Sequence, residues 1–288
     1  MALGVIWGSS FLFIALGLET LPPTGIAFWR TFIGALTLLV VMLIRRIPFV
    51  RGFGSWIKIW IAGLLMSGIP AILFGYAEQH VNSSLAAIIN ASTPIFTVIA
   101  ILIAFRSEKP KPTVLVGLAV GLIGVLVVLG VWRGFGENEP LAIGALLLAV
   151  ALYGVGSPFL RKYVEPLKLK SESAVFGQVL TSAITVLPFY AISGWSVGPI
   201  TLNSTLGMLA LGIFGTGLAY VMYYGLLANI GSAIASAVTY LSPIVGVILG
   251  VLLLKEQITW YQPVGAAVVL FGAAIAQGRF NKFLPKKK

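Results

Sequence analysis

The chain has 288 residues, of which 59% are hydrophobic and 9% are charged, and it carries a formal net charge of +11. Soluble globular domains carry about 25% charged residues, so this composition excludes a soluble fold and indicates a chain that folds in lipid. The absence of cysteine excludes a disulfide framework and a thiolate metal site.

Ten apolar stretches follow one another along the chain, each about long enough to cross a bilayer, which takes about 20 mostly apolar residues. They run over 2–18, 25–44, 57–76, 83–105, 113–132, 141–160, 172–192, 204–226, 232–254 and 260–278. The connectors are too short for a soluble domain. The first stretch has no basic segment ahead of it, so we expect no cleavable signal peptide. The pattern predicts an all-α integral membrane protein with ten transmembrane helices.

Basic residues segregate to alternate connectors. With the N-terminus in the cytoplasm, the outer loops hold two of them, Arg133 and Lys255, whereas the cytoplasmic segments hold sixteen. The positive-inside rule therefore predicts that both termini are cytoplasmic. The net charge is thus a topology signal with some attraction to anionic lipid head groups, and we expect no nucleic-acid partner. The sixteen are Arg45, Arg46, Arg51, Lys58, Arg106, Lys109, Lys111, Arg161, Lys162, Lys168, Lys170, Arg279, Lys282, Lys286, Lys287 and Lys288.

The two halves of the chain resemble each other at a nearly fixed offset. The segment from Ser83 to Thr93-Pro94-Ile95 matches the segment from Ser232 to Ser242-Pro243-Ile244 at an offset of 149, and Trp7-Gly8 resembles Tyr153-Gly154 at 146. This divides the chain into five-helix repeats at 1–138 and 139–288. Because five is odd, matching helices must cross the membrane in opposite directions, as in the inverted-topology repeats of secondary transporters that enclose a central site.

A family resemblance rests on motifs in both halves. They are Trp7-Gly8-Ser9-Ser10-Phe11, Phe28-Trp29-Arg30, the Thr-Pro and Ser-Pro pairs of spans four and nine, and Lys255-Glu256. With them the chain resembles the drug/metabolite transporter superfamily, and within it the ten-helix EamA-type branch and its amino-acid exporters. The resemblance implies a bundle with a central cavity, a place in the bacterial inner membrane, and export of amino acids including aromatic ones. The alternative is export of other small metabolites or drugs.

Two proline-centred faces are candidates for the substrate site. Pro94 and Pro243 lie near the middle of their spans, where proline removes a backbone donor and kinks the helix. The carbonyls freed in this way belong to Asn90 and Thr239. Irregular backbone at membrane depth is tolerated where it lines a cavity, although small hydroxyl residues also serve ordinary helix packing. We expect Asn90, Thr93, Thr239 and Ser242 to contact the substrate.

Aromatic residues supply further candidates. Trp7 and Ser10 share a face of span one, Tyr153 is the repeat mate of Trp7, and Tyr220 and Tyr223 share a face of span eight. Tyr153 and Tyr220 are too deep for an interfacial belt, which leaves substrate binding or core packing. We expect spans one, three, four, six, eight and nine to line the cavity, and spans five and ten to support it.

Charged groups are scarce at depth. Arg30 lies near the outer end of span two, from where it can snorkel outward. Glu78 and His80 follow span three, where a solvated turn is expected and gating of an outer mouth is the alternative. Arg30 is a third candidate for gating. A cavity without a deep charge suits zwitterions, and without a mid-depth acid we expect no midplane carboxylate to couple transport to protons. No nucleophile–base pair or set of metal ligands can be assembled at depth, so we expect that the protein is not an enzyme and that it holds no metal or cofactor. We also expect it to function as a monomer.

Overall fold

A computed structural model describes residues 2–105, 112–128, 132 and 139–276. Within these ranges the chain forms ten helical segments, numbered in chain order. They are α1 (Ala2–Leu18), α2 (Pro23–Ile44), α3 (Phe53–Ala77), α4 (Ser83–Phe105), α5 (Pro112–Val128), α6 (Pro140–Leu167), α7 (Ser171–Ser193), α8 (Leu202–Ile230), α9 (232–253) and α10 (Tyr261–Ala276). The all-α architecture expected from the sequence is confirmed.

Six of the described helices are apolar and long enough to cross a membrane, namely α2, α3, α4, α6, α7 and α8. The apolar parts of α1, α5, α9 and α10 are shorter. Large apolar side chains such as Ile44 and Ile192 are exposed on the outside of the bundle, where lipid covers them in a membrane. The protein is therefore a multi-pass membrane protein, and the count of ten spans stays a prediction.

Two helices are interrupted just before a proline. In α4, regular helix stops at Asn90 and resumes at Thr93, so that Pro94 is the second residue of the new segment. In α9, a 3₁₀ turn over Ala237–Leu241 precedes a helix in which Pro243 is again second. The freed carbonyl of Asn90 accepts a 2.7 Å hydrogen bond from Thr93 Oγ1. This bond uses one of the two acceptor lone pairs of the carbonyl oxygen.

π-helical turns widen α3 over Leu64–Gly68 and α8 over Leu211–Leu218. A π turn shifts the backbone bonding by one residue and often marks a functional site. In α8 the hydroxyl of Thr216 donates to the carbonyl of Leu211, five residues back, at 2.9 Å. In α3 the carbonyl of Met66 accepts a hydrogen bond from the hydroxyl of Tyr220 on α8. Tyr220, two residues after the widened turn of α8, thus connects α8 to the widened turn of α3.

Helices α5 and α10 pack on each other through glycines. A Cβ atom at Gly124 would lie 2.5 Å from the backbone nitrogen of Val269, and one at Gly272 would lie 2.5 Å from that of Gly121. Only glycine permits backbones to approach this closely. Among the residues that the structure describes, neither helix contributes to the central cavity, which agrees with the supporting role expected for spans five and ten.

Charged side chains divide between the two ends of the bundle. The Glu256 end comprises the described connections 19–22, 78–82, 139, 194–201 and 254–260 and holds Glu19, Glu78, His80, Glu139, Lys255 and Glu256. The Arg161 end comprises 45–52, 161–170 and 231, and with Lys58 it holds eight of the basic residues assigned to the cytoplasm. Arg106, Lys109, Lys111, Arg133, residue 138 and the basic tail from Arg279 to Lys288 lie outside the described residues. Which end faces the cytoplasm stays a prediction.

Candidate solute-binding cavity

A cavity lies at the centre of the bundle between α1, α2, α3, α4, α6, α8 and α9. Its volume is about 50 Å³. Sites that enclose drug-sized ligands measure about 300–1,000 Å³, so a larger solute requires the helices to move apart. The lining residues are Trp7, Ser10, Phe11, Ile14, Arg30, Met66, Phe74, Asn90, Thr93, Tyr153, Ser157, Tyr220, Tyr223, Ser236 and Thr239.

Six aromatic residues line the cavity, and the best-fixed group is centred on Trp7. Its indole Nε1 donates to the carbonyl of Gly215 at 3.2 Å, and its ring centroid lies 5.8 Å from that of Tyr220 and 5.2 Å from that of Tyr223. The Tyr223 hydroxyl is 2.6 Å from Ser157 Oγ. Because each polar tip is hydrogen-bonded, these rings hold fixed orientations and present apolar faces to the cavity.

Hydroxyl and amide groups form the polar part of the lining. Thr93 Oγ1 donates to the Asn90 carbonyl, and Thr239 Oγ1 donates to the Ser236 carbonyl at 2.8 Å. Ser10 Oγ likewise donates to a carbonyl of its own helix. A hydroxyl that has donated its hydrogen keeps its oxygen lone pairs as acceptors. This part of the lining is therefore suited to receive N–H donors from an ammonium or amide group.

Arg30 brings a positive charge into the cavity, which corrects two expectations. Its side chain does not snorkel outward, because the residue is only 6% exposed and lines the cavity. The cavity is therefore not free of deep charge. Arg30 Nε donates to Thr216 Oγ1 at 3.2 Å. Among the described residues, the guanidinium makes this one hydrogen bond. A guanidinium carries five N–H donors, so four are available to an anionic group.

The local sequence explains why Arg30 turns inward. It shares a helical face with Ala27 and Gly34, which are small and buried. A Cβ atom at Gly34 would lie 3.2 Å from the carbonyl of Gly212 and 3.2 Å from the side chain of Thr216. This face of α2 is pressed against the π turn of α8, so Arg30 extends beside Thr216 and not toward the lipid.

Eight of the nine residues expected to bind substrate lie around this one cavity: Trp7, Ser10, Asn90, Thr93, Tyr153, Tyr220, Tyr223 and Thr239. The ninth, Ser242, does not line it. Ser242 is fully buried, and its Oγ has no hydrogen-bond partner among the described residues. Its carbonyl packs against Gly8, where a Cβ atom would lie 3.0 Å away. Ser242 is part of the contact between α9 and α1.

Sequence reasoning missed several lining residues: Phe11, Ile14, Met66, Phe74 and Ser157. Three of them carried a usable signal. Phe11 and Ile14 lie four and seven residues after Trp7, and Ser157 lies four after Tyr153, so each shares a helical face with a residue already chosen. Met66 and Phe74 lie among apolar neighbours in α3, and no periodic signal distinguishes them.

The three residues considered for gating occupy different environments. His80 is partly exposed and its Nδ1 lies 2.7 Å from Glu139 Oε2. Glu78 was expected in a solvated turn, but both its carboxyl oxygens are buried and have no hydrogen-bond partner among the described residues. Burial raises the pKa of Glu78 well above its usual value, Glu256 raises it further, and Arg30 acts in the opposite direction.

At the Glu256 end, a carboxylate caps the start of α4. Glu256 Oε1 accepts from the backbone N and Oγ of Ser83 at 2.8 and 2.7 Å, and Oε2 accepts from those of Ser84 at 3.0 and 2.5 Å. The first N–H groups of a helix have no partner within it and carry partial positive charge. The connection after α9 thus holds the N-terminus of α4.

A helical bundle with interrupted helices around a polar and aromatic cavity at membrane depth has the architecture of a membrane transporter. A sequence profile described as the EamA-like transporter family, within the drug/metabolite transporter superfamily, matches residues 1–130 and 140–277. The chain belongs to the EamA-like transporter family. It is a transporter, and the relatives below do not distinguish the amino-acid exporters from the rest of the family.

The relatives cover nearly the whole chain. One is the "Uncharacterized inner membrane transporter YedA" of Escherichia coli K12, 26% identical over 281 residues, with 95% of this chain and 88% of YedA covered. Another is the "Uncharacterized transporter YoaV" of Bacillus subtilis, 24% identical, with 96% and 95% covered. A solved crystal structure matches with a TM-score of 0.73 over 98% of this chain and 96% of its own, at 18% identity. That likeness shows the fold alone.

Proposed function

We propose that this chain exports small zwitterionic solutes, namely amino acids including aromatic ones, across the bacterial inner membrane by alternating access. The observation that carries the proposal is the guanidinium of Arg30 in a cavity that is otherwise lined by aromatic rings and hydroxyl groups. A guanidinium pairs with a carboxylate through two parallel hydrogen bonds. The free N–H groups of Arg30 therefore favour a solute that carries a carboxylate.

The rest of the lining suits the rest of such a solute. The oxygen atoms of Ser10, Thr93 and Thr239 keep acceptor lone pairs for an ammonium group. The faces of Trp7 and Tyr220 offer stacking surfaces, and an aromatic pair adds about 0.5–1.5 kcal/mol beyond the area it buries. A cation alone meets the repulsion of Arg30, and a solute with several negative charges has one guanidinium to neutralise it.

Alternating access follows from two inverted five-helix repeats, 1–138 and 139–288, that exchange conformations. The breaks before Pro94 and Pro243 lie at matching positions of the two expected repeats. We expect the helices to bend at these breaks during the exchange. The Arg161 end, with its eight basic residues, faces the cytoplasm and anionic lipid head groups. We expect the chain to work as a monomer.

A counterflow assay tests the proposal. Purified protein in liposomes, loaded with unlabelled solute, is given labelled phenylalanine, leucine or phenethylamine, which lacks the carboxylate. We expect exchange of the amino acids and little exchange of the amine. Arg30→Lys loses the paired geometry and should raise KM about tenfold or more, since a hydrogen bond to a charged group contributes about 1.5–3 kcal/mol. Arg45→Lys, altered at a surface ion pair with Glu172, is the matched control.

A milder change tests the support of Arg30. Thr216→Val keeps the shape of the side chain but removes the acceptor for Nε, and we expect KM to rise about fivefold, on the order of 1 kcal/mol. Thr205→Val removes an exposed hydroxyl of the same helix and should change nothing. Equal exchange of amine and amino acid, unaffected by Arg30→Lys, refutes carboxylate recognition.

The second candidate is export of other small metabolites or drugs of the same superfamily. It is favoured by the six aromatic residues of the lining, which accept apolar ring systems of many kinds. In the same assay this function predicts exchange of phenethylamine or neutral aromatic compounds and no exchange of leucine.

A further inference from the structure

One carboxyl group of this structure lies buried without a hydrogen-bond partner. Glu78 follows the last residue of α3, and both its oxygens are shielded from solvent and unpaired among the described residues. Phe74, one helical turn earlier, lines the central cavity. A carboxylate ion that has lost its water and found no donor is strongly destabilised, whereas the neutral acid is not. The position therefore favours the protonated form.

The charged neighbours of Glu78 add to this preference. Glu256 raises the proton affinity of Glu78, and its own charge is held in place by the four hydrogen bonds to Ser83 and Ser84. Arg30 on α2 opposes the effect without reversing it. Of the other helices packed against α3, α1 and α6 carry no acidic or basic side chain over Ala2–Leu18 and Pro140–Phe159. Helix α7 also packs against α3, and its acidic residue, Glu172, lies at the Arg161 end. Glu139, just before α6, is paired with His80.

We propose that Glu78 binds a proton while the Glu256 end is closed and releases it to water when that end opens. In the release step the O–H bond of the carboxylic acid breaks, the proton passes to a water molecule, and the carboxylate that remains becomes hydrated. The proposal rests on the proposed function, because it requires that this end open during transport. It adds a proton-binding site outside the solute cavity.

The sign of the pH dependence follows from linkage. The pKa of Glu78 is raised in the closed form and returns to its ordinary value in the open, hydrated form. Between these two values the closed form binds one more proton than the open form. Raising the pH through this window therefore favours opening, by about tenfold in the ratio of open to closed molecules for each pH unit. Acid on this side of the membrane favours closure.

The first experiment asks whether the proton is present, and it needs no transported solute. Infrared spectra of the purified protein at pH 7, compared in H₂O and D₂O, should show the C=O band of a protonated carboxylic acid. Glu78→Gln should remove the band and Glu78→Asp should keep a shifted one. Glu172→Gln, altered at the opposite end, should leave it unchanged. Absence of the band from the wild-type protein overturns the proposal whether or not any variant folds.

The second experiment asks whether the proton is linked to opening. The chain has no cysteine, so Ile14→Cys places a single thiol in the cavity lining for an impermeant reagent. Raising the pH also converts the thiol into the reactive thiolate, and this speeds labelling equally with and without the Glu78→Gln substitution. The ratio of the labelling rates of these two proteins therefore isolates the effect of Glu78. We expect the rate with Glu78 present, relative to Glu78→Gln, to rise up to tenfold per pH unit. A constant ratio overturns the linkage. Neither readout depends on the counterflow result, so the two proposals fail separately.

Discussion

Removal of the Glu256 carboxylate should loosen the start of α4 more than any other surface change at this end of the bundle. Ser83 and Ser84 are 3% and 0% exposed, and Glu256 is the acceptor for both of their backbone N–H groups. In Glu256→Ala both donors lose their partner, at about 1–3 kcal/mol for each buried donor. Water can solvate the two N–H groups once this end loosens, so we expect a value in the lower part of the range for each donor. The total loss for the two donors is then about 2–4 kcal/mol.

Hydrogen exchange measures this effect directly. A loss of 2 kcal/mol corresponds to about 30-fold faster exchange of the Ser83 and Ser84 amides, since each 1.4 kcal/mol is a factor of ten. The amide of Leu85 should change less, because the side chain of Asn82 accepts from it at 2.8 Å. Glu172→Ala breaks an exposed ion pair with Arg45, which is worth at most about 1 kcal/mol. Unchanged exchange at Ser83 and Ser84 in Glu256→Ala would show that the carboxylate does not hold α4.

Two further predictions concern packing and orientation. Gly154→Ala should lower the free energy of unfolding by about 1–3 kcal/mol, and the melting temperature with it, because the added Cβ would lie 2.5 Å from Phe96 Cβ. The control is Gly144→Ala on the same helix, whose Cβ would meet nothing within 4 Å and which should be neutral. A melting temperature that falls equally in both variants contradicts the close contact of α6 with α4. In intact cells, Gln79→Cys at the Glu256 end should be labelled by an impermeant thiol reagent and Lys168→Cys at the Arg161 end should be protected; the reverse pattern refutes the cytoplasmic assignment of the Arg161 end.

The helices and most of the cavity could be predicted because the signals are local. Apolar length marks each helix, and proline interrupts a helix wherever it lies, so the breaks before Pro94 and Pro243 were visible in the sequence. Trp7, Tyr153 and Tyr220 stood out because polar-tipped aromatics are costly at membrane depth unless their tips find partners. These inferences require only neighbours within a few residues along the chain.

The positions of Arg30 and Glu78 could not be predicted because they depend on partners distant in sequence. Arg30 is held by Thr216, 186 residues away, in a π turn that has no sequence signature of its own. Glu78 is shielded in a turn whose neighbour, Glu256, arrives from the other half of the chain. The periodicity of apolar residues indicates that a side chain is buried, but it does not indicate which group of another helix lies next to it. That neighbouring group decides whether a buried charge is paired.

The cap of α4 is an intramolecular ligand. The backbone N–H of Glu256 donates to the carbonyl of Gly250 at 3.1 Å, and this hydrogen bond fixes the position of the residue. The carboxylate therefore stays near Ser83 even after its hydrogen bonds to α4 break. A short tether of this kind gives an effective concentration on the order of millimolar or higher. Dissolved anions at lower concentrations therefore do not displace the cap, and reclosing depends neither on the protein concentration nor on a second molecule.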